Sequence, residues 1–163
     1  MTDFEPIELI DEPHIMVVLA ETHKNIGEEL LRGALAVINK KKATYEIVRV
    51  PSVFDIPAPI CYAMRGLDFY TARKRFDAYV VLGCAIRGET NQYDIITQET
   101  YSVLQELACQ YTIALGSGII TANTEEQAVV RAGIDKRNEG GVAAENAFSM
   151  LKLKEYFGIY PRK

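Results

Sequence analysis

The run VVLGCAIRGETNQYD, Val80 to Asp94, constrains the fold more than any other part of the chain. It begins with apolar, largely β-branched residues, passes into a glycine-bounded polar loop, and leads into a helical pattern. That is the order of a strand, a tight turn and a helix start, the place where open α/β sheets put ligands. Thr90 offers a hydroxyl there. The helix beyond it offers free N–H groups and the positive end of its dipole to an anion. Gln92 stands where a proton-transferring side chain would be useful, yet an amide does not titrate near neutral pH.

The rest of the chain repeats the alternation. His14 to Ala20 (HIMVVLA) is a continuous apolar run, as in a buried parallel strand. Lys24 to Lys40 places Ile26, Leu30, Leu31, Ala34, Leu35 and Ile38 at helical spacing. Tyr45 to Val50 reads as a second strand, stopped by Pro51. Pro57 to Gly66 reads as a helix with its prolines in the opening turn, and Gly66 to Phe76 as a polar connection. Asp77 to Ile86 is the third strand, Thr97 to Tyr111 the next helix, and Ile113 to Thr121 a glycine-containing fourth strand. Thr124 and Gln127 form a capping-box signature opening a helix to Ala132, closed by Gly133. A last helix runs from about Gly141 to Tyr156. The order β-α-β-α-β-α-β-α-α with right-handed crossovers predicts a three-layer α/β/α sandwich with a four-stranded, parallel, flavodoxin-like sheet. Residues 1–12 are expected to form an acidic N-terminal arm, 13–158 a single domain and 159–163 a C-terminal tail. So short a sheet leaves long edges, which oligomerisation would cover.

Composition excludes several classes. The 163 residues suffice for one domain with a real core, and 48% apolar with 25% charged content is ordinary for a globular protein. A net charge of −4 and a pI near 5.3 give no electrostatic case for nucleic acid. The basic runs Lys40–Lys42 and Arg73–Arg75 read as solvated helix ends or loops. Three cysteines without a C-x-x-C pair argue against a disulfide framework or a zinc site. Cys61 and Cys109 are expected to be small buried hydrophobes. Two histidines cannot make a histidine-rich metal centre. The acidic start is not a signal sequence, and no apolar run nears the roughly 18 residues of a membrane span. A cytoplasmic protein is expected.

In a parallel sheet the carboxyl ends of all strands face one rim. The loops expected there are Glu21–Asn25, Pro51–Pro57, Cys84–Asp94 and Ser117-Gly118 near the end of the last strand. Each has a bland reading. Phe54 is a loop anchor or a ligand platform, Asp55 a helix cap, Arg87 an ion-pair former, and Arg131 a cation suited to a helix C-terminus. The convergence of an aromatic, a carboxylate, a hydroxyl and a helix N-terminus, with no metal-ligand set, points to a small polar, phosphorylated molecule bound between loops. The parts alone do not name a reaction.

The motifs do resemble a family. Val50-Pro51-Ser52-Val53-Phe54-Asp55-Ile56-Pro57 resembles the V-P-G-A-x-E-I-P signature of lumazine synthases. Leu82 to Thr90 (LGCAIRGET) resembles their L-G-x-V-I-R-G-x-T, and Tyr93-Asp94 their aromatic-Asp pair. Glu126-Gln127-Ala128, Arg131-Ala132-Gly133 and Asn138-Glu139-Gly140 resemble E-Q-A, R-A-G and N-K-G. The order and spacing hold from about Ile15 to Leu151. The resemblance implies condensation of 5-amino-6-(ribitylamino)uracil with 3,4-dihydroxy-2-butanone 4-phosphate to 6,7-dimethyl-8-ribityllumazine, the immediate precursor of riboflavin. It also implies a flavodoxin-like subunit in a pentamer or a multiple of it, an active site between adjacent subunits, no metal or organic cofactor, and riboflavin synthase as a partner. Carried over by position, Val53, Phe54 and Asp55 would line the pyrimidine and ribityl pocket. Cys84, Ala85 and Ile86 would border the ring, and Glu89 and Thr90 match the phosphate loop. Arg131 of a neighbouring subunit would neutralise the phosphate. Ser117 holds a position usually aromatic or small and polar.

Four positions depart from the family pattern. Gln92 replaces the general acid/base histidine, Thr22 the stacking aromatic, and Asp55 a glutamate. Glu139 replaces a lysine and so reverses its charge. Phosphate binding is therefore better preserved than proton transfer, and His23 on the first loop is a candidate substitute proton carrier, since imidazole titrates in the right range. The expectation is an enzyme relying on substrate positioning, slow for want of the histidine. The alternative is a degenerate homologue acting as a scaffold or a ribityl-ligand or flavin binder. A third reading is a generic flavodoxin-like binding domain without ring assembly.

Overall fold

The computed structural model describes residues 12–69 and 72–160. The expected arm before Glu12 and the last three positions lie outside the described residues. Four strands, β1 (His14–Ala20), β2 (Thr44–Val50), β3 (Ala78–Ile86) and β4 (Ala114–Ala122), form one sheet in the order β2-β1-β3-β4. All three pairings are parallel. Helices α1 (Lys24–Lys40), α4 (Glu125–Ala132) and α5 (Glu139–Tyr156) cover one face. Helices α2 (Pro57–Phe69) and α3 (Gln92–Gln110) cover the other, with a 3-10 turn at Val53–Asp55. This is the three-layer, flavodoxin-like sandwich expected from the sequence.

The two faces follow from strand alternation. Ile15, Val17, Leu19, Val80 and Leu82 point into the α1/α5 core beside Leu30, Ile38, Phe148 and Leu151. Met16, Val18, Val81 and Ile119 point the other way, onto Ile56, Ile60, Leu104 and Leu107. β1 is buried along its whole length, which accounts for its unbroken apolar sequence. β2 is an edge strand and largely exposed.

Close backbone approaches fix the second layer. A Cβ at Gly116 of β4 would lie 1.8 Å from the Ala143 carbonyl oxygen of α5. A Cβ at Gly140 would lie 2.0 Å from the Leu30 carbonyl oxygen of α1. Ahead of α5, Asn138 takes a left-handed conformation (φ 47°) and its side-chain oxygen accepts from the Gly141 N–H at 3.2 Å. The start of α5 is thus held against both α1 and β4.

Several boundaries differ from the sequence expectation. α3 begins at Gln92 rather than Thr97, α5 at Glu139 rather than Gly141, and α2 runs to Phe69, past Gly66. Ser117-Gly118 is not a rim loop: it sits in the middle of β4, level with Val81 and Leu82, and the strand ends at Ala122. Cys109 is exposed and Cys61 half-buried, so neither is the core residue expected. Tyr160, placed in a tail on sequence grounds, is buried against the α1/α5 core.

Candidate active site

A cavity of about 230 Å³ opens at the carboxyl rim of β1 and β3. Thr22 and His23 enter it from the loop after β1, and Ser52 and Val53 from the loop after β2. Cys84, Ala85 and Ile86 form its floor at the end of β3, and Gly88, Thr90, Gln92, Tyr93 and Ile96 close it from the next loop and α3. Three of the four expected loops therefore meet in one place. The fourth strand reaches the rim through Ala122-Asn123, not through Ser117.

The first wall is set by backbone geometry. His23 is the N-cap of α1 in a left-handed conformation (φ 55°), and its carbonyl accepts from the N–H groups of Ile26 and Gly27. The Thr22 hydroxyl donates to the Pro51 carbonyl at 3.1 Å, tying the first loop to the second. Asp55 faces back into its own turn. Its carboxylate accepts from the Ser52 N–H at 3.0 Å and the Ser52 hydroxyl at 2.7 Å. That is a capping arrangement, and it takes Asp55 out of the cavity wall. Phe54 projects into solvent beside it.

The opposite wall is the start of α3. The Gln92 N–H donates to the Thr90 hydroxyl at 3.4 Å, and the first intrahelical bond runs from the Ile95 N–H to Asn91. The N–H groups of Tyr93 and Asp94 precede that bond and have no acceptor within the helix. Arg87 holds this turn in place. Its guanidinium pairs with both Asp94 oxygens at 2.9 and 3.1 Å, lies 4.6 Å from the Tyr93 ring centre, and donates to the Asn123 side chain at 3.3 Å. Such a bidentate, stacked arginine orients a loop better than a lysine does. The Thr100 hydroxyl docks α3 on the Val53 carbonyl at 3.4 Å.

Cys84 is buried, and burial, with a smaller contribution from Glu125, pushes its thiol up to about 11. It is therefore neutral at physiological pH and serves as floor, not nucleophile. With a neutral thiol-labelling reagent at pH 8, Cys109 should react first, Cys61 more slowly, and Cys84 only after denaturation. Mass mapping of the modified peptides checks the order, and early labelling of Cys84 would contradict the closed floor.

Other expected site residues lie outside this cavity. Glu89 is exposed on the loop. Arg131, near the end of α4, donates to the Thr121 carbonyl of β4, and its Nε lies 3.6 Å from a carboxylate oxygen of Glu139. Ser117 is exposed on β4. Near it the Tyr101 hydroxyl donates to the Ile119 carbonyl at 2.7 Å. Burial raises the Tyr101 phenol, Glu139 adds to the rise, and Arg131 and Ser117 oppose it. Tyr101, Ser117, Arg131 and Glu139 thus form a second polar cluster along β4. Within one chain none of these four residues lines the cavity. Ile96 and Tyr101 were absent from the sequence-derived site. A helix started at Gln92 would have placed Ile96 one turn on, facing the same way.

The sequence profile described as 6,7-dimethyl-8-ribityllumazine synthase matches residues 12–155. The chain belongs to the lumazine synthase family. Among lumazine synthases, the Bartonella henselae enzyme is 39% identical over 152 residues, spanning 93% of this chain and 95% of that protein. The Bartonella tribocorum enzyme is 39% identical over 151 residues, 93% of this chain and 96% of that one. The Agrobacterium fabrum enzyme is 35% identical over 149 residues, 91% and 99%. The match to the lumazine synthase profile covers β1 through nearly all of α5, and so includes both the rim cavity and the polar cluster along β4. Among the described residues no helix is long and apolar enough to cross a membrane.

Proposed function

We propose that this protein makes 6,7-dimethyl-8-ribityllumazine for riboflavin biosynthesis, condensing 5-amino-6-(ribitylamino)uracil with 3,4-dihydroxy-2-butanone 4-phosphate and releasing phosphate. The observation that carries the reading is the rim cavity, where the signature loops meet the start of α3 in a chain of this family. The pyrimidine and its ribityl chain lie over Val53 and the Cys84–Ile86 floor. The phosphate end lies toward Thr90, Glu89 and the free N–H groups of α3, where a helix N-terminus favours an anion.

The anion needs a cation, and Arg131 is outside its own chain's cavity. The site is therefore shared: the cavity of one copy meets the β4 cluster of the next, in a pentamer or a multiple of it, in the cytoplasm. Two unlike apolar stripes support such a ring. The exposed side chains Tyr62 and Phe69 lie seven residues apart on the outer side of α2, and Val142 and Met150 eight apart on the outer side of α5, in opposite layers of the sandwich. Head-to-tail rings need two such different patches.

Imine formation between the amine and the ketone, loss of phosphate and ring closure then proceed mainly by positioning. Holding two reactants together is worth about 7–11 kcal/mol of barrier, against roughly 10²–10⁴ in rate for a positioned acid or base. Gln92 contributes by orienting water or substrate through hydrogen bonds. No cofactor takes part.

A two-substrate assay tests the reading. Product should form above the uncatalysed rate. Arg131→Ala should raise KM for the phosphorylated ketone about 10- to 100-fold, the loss of charged hydrogen bonds worth roughly 1.5–3 kcal/mol, and leave KM for the pyrimidine within about twofold. No product above background would defeat the enzyme reading. Flavin held without turnover would then mark a binder, and a monomer by light scattering would defeat the shared site.

A further inference from the structure

We propose that Glu139 sets how strongly the Arg131 half-site grips a phosphate: its carboxylate anchors the guanidinium through Nε and offsets its charge, so a dianion is bound weakly. The proposal rests on the reading of Arg131 as the phosphate-binding cation and goes beyond it to an opposing residue.

The geometry gives the pair a defined division of labour. Glu139 faces Nε at 3.6 Å, and one Nη1 hydrogen is given to the Thr121 carbonyl. Guanidinium carries five N–H groups. What remains is the Nη1/Nη2 end, the edge suited to two parallel hydrogen bonds with a phosphate. Glu139 therefore leaves the binding edge open while cancelling the unit charge behind it. The carboxylate cannot easily swing away at the backbone level. It is the first residue of α5, between the left-handed Asn138 and Gly140, whose α-carbon is pressed against the Leu30 carbonyl. Both side chains are about a third exposed or less, 34% for Arg131 and 26% for Glu139, so their fields are only partly screened.

A bland account also exists: an acid in the first turn of a helix is favoured by the dipole whatever it touches. The two accounts differ in what neutralising the charge does to a bound anion. At a separation of about 6 Å in partly screened surroundings, one pair of unit charges is worth roughly three- to tenfold in affinity. A phosphate dianion should therefore bind about tenfold tighter once Glu139 is neutral.

The test uses the assembled protein, with inorganic phosphate as a competitive inhibitor against the phosphorylated ketone. Glu139→Gln keeps the size and a hydrogen-bond acceptor for Nε. It should lower the phosphate inhibition constant and the ketone KM about tenfold, and leave the pyrimidine KM within about twofold. The gain should shrink as sodium chloride is raised, which a purely structural role would not produce. Glu139→Lys should tighten phosphate further. Arg131→Ala separates the two layers of the argument. If it weakens phosphate strongly while both Glu139 variants leave phosphate unchanged or weaker, Glu139 has no such role and the proposed function stands. If Arg131→Ala also leaves phosphate unchanged, the assignment of Arg131 falls and this inference with it.

Discussion

Gln92→His should raise kcat about a hundredfold, the low end of the roughly 10²–10⁴ a positioned acid or base supplies. The side chain at 92 lies in the cavity wall on the first residue of α3, across from Thr22 and His23. An imidazole there reaches the same space as the amide and adds a proton to give or take. The pH profile is the sharper readout. The variant should gain a limb of rising rate through about pH 6–7, where an imidazole ordinarily titrates, which the parent lacks. KM for both substrates should change little, because the amide already fills the position. If the parent shows that limb and loses it in His23→Asn, then His23 carries the proton, and the gain from Gln92→His should shrink below about threefold. A flat profile and unchanged kcat in Gln92→His would place the reacting atoms away from α3.

Gly116→Ala should destabilise the fold by about 3 kcal/mol, at the upper end of the usual cost of overpacking. The new methyl group would stand 1.8 Å from the Ala143 carbonyl oxygen and 2.9 Å from the Ala147 nitrogen. Both are backbone atoms, so no rotamer change relieves the clash, and α5 must lift from the sheet. For a chain of this size the loss corresponds to a fall in Tm of about 6–12 °C. Gly66→Ala is the matched control. Gly66 lies within α2 with nothing within 4 Å of the new atom, so it should stabilise by about 0.5–1 kcal/mol through helix propensity alone. Equal melting temperatures for Gly116→Ala and the parent would contradict the seating of α5 on β4.

The same glycine explains a misreading of the sequence. Ser117-Gly118 reads as a rim loop near the end of the Ile113–Thr121 strand because small residues cluster there. They are small because α5 passes over the middle of β4, and that approach exists only after folding. By contrast β1 and α1 have the limits that pattern alone gives, since an unbroken apolar run and an uninterrupted 3.6 period leave little to choose. The start of α3 was obscured for another reason. Asn91 makes no side-chain cap, and the first turn is held by Arg87 through Asp94 and Tyr93. The clamp reaches back seven residues to the end of β3, so the helix start carries no capping signature of its own. The rim cavity was legible because two of its loops carry their chemistry in contiguous motifs and the third follows β1 onto the same rim. Asp55 was legible as a cap but not as one turned into its own loop. The facing of Arg131 and Glu139 joins α4 to α5 and had no spacing to announce it. Cys109 fell on the outside of α3 because a cysteine in a helical pattern carries no sign of which face it occupies.

The outer border of β4 has a consequence for how copies of this chain can join. Its outward carbonyls at Ile119 and Thr121 are occupied by the Tyr101 hydroxyl and the Arg131 guanidinium of the same chain. A strand arriving from another molecule would have to displace both before it could lengthen the sheet. Runaway stacking of strands into fibres is thereby discouraged on this side, and neighbours are left to meet through side chains. The guanidinium that shields the Thr121 carbonyl is also the proposed anion ligand. An anion that drew Arg131 away would uncover that carbonyl, so binding chemistry and protection against aggregation share a single side chain.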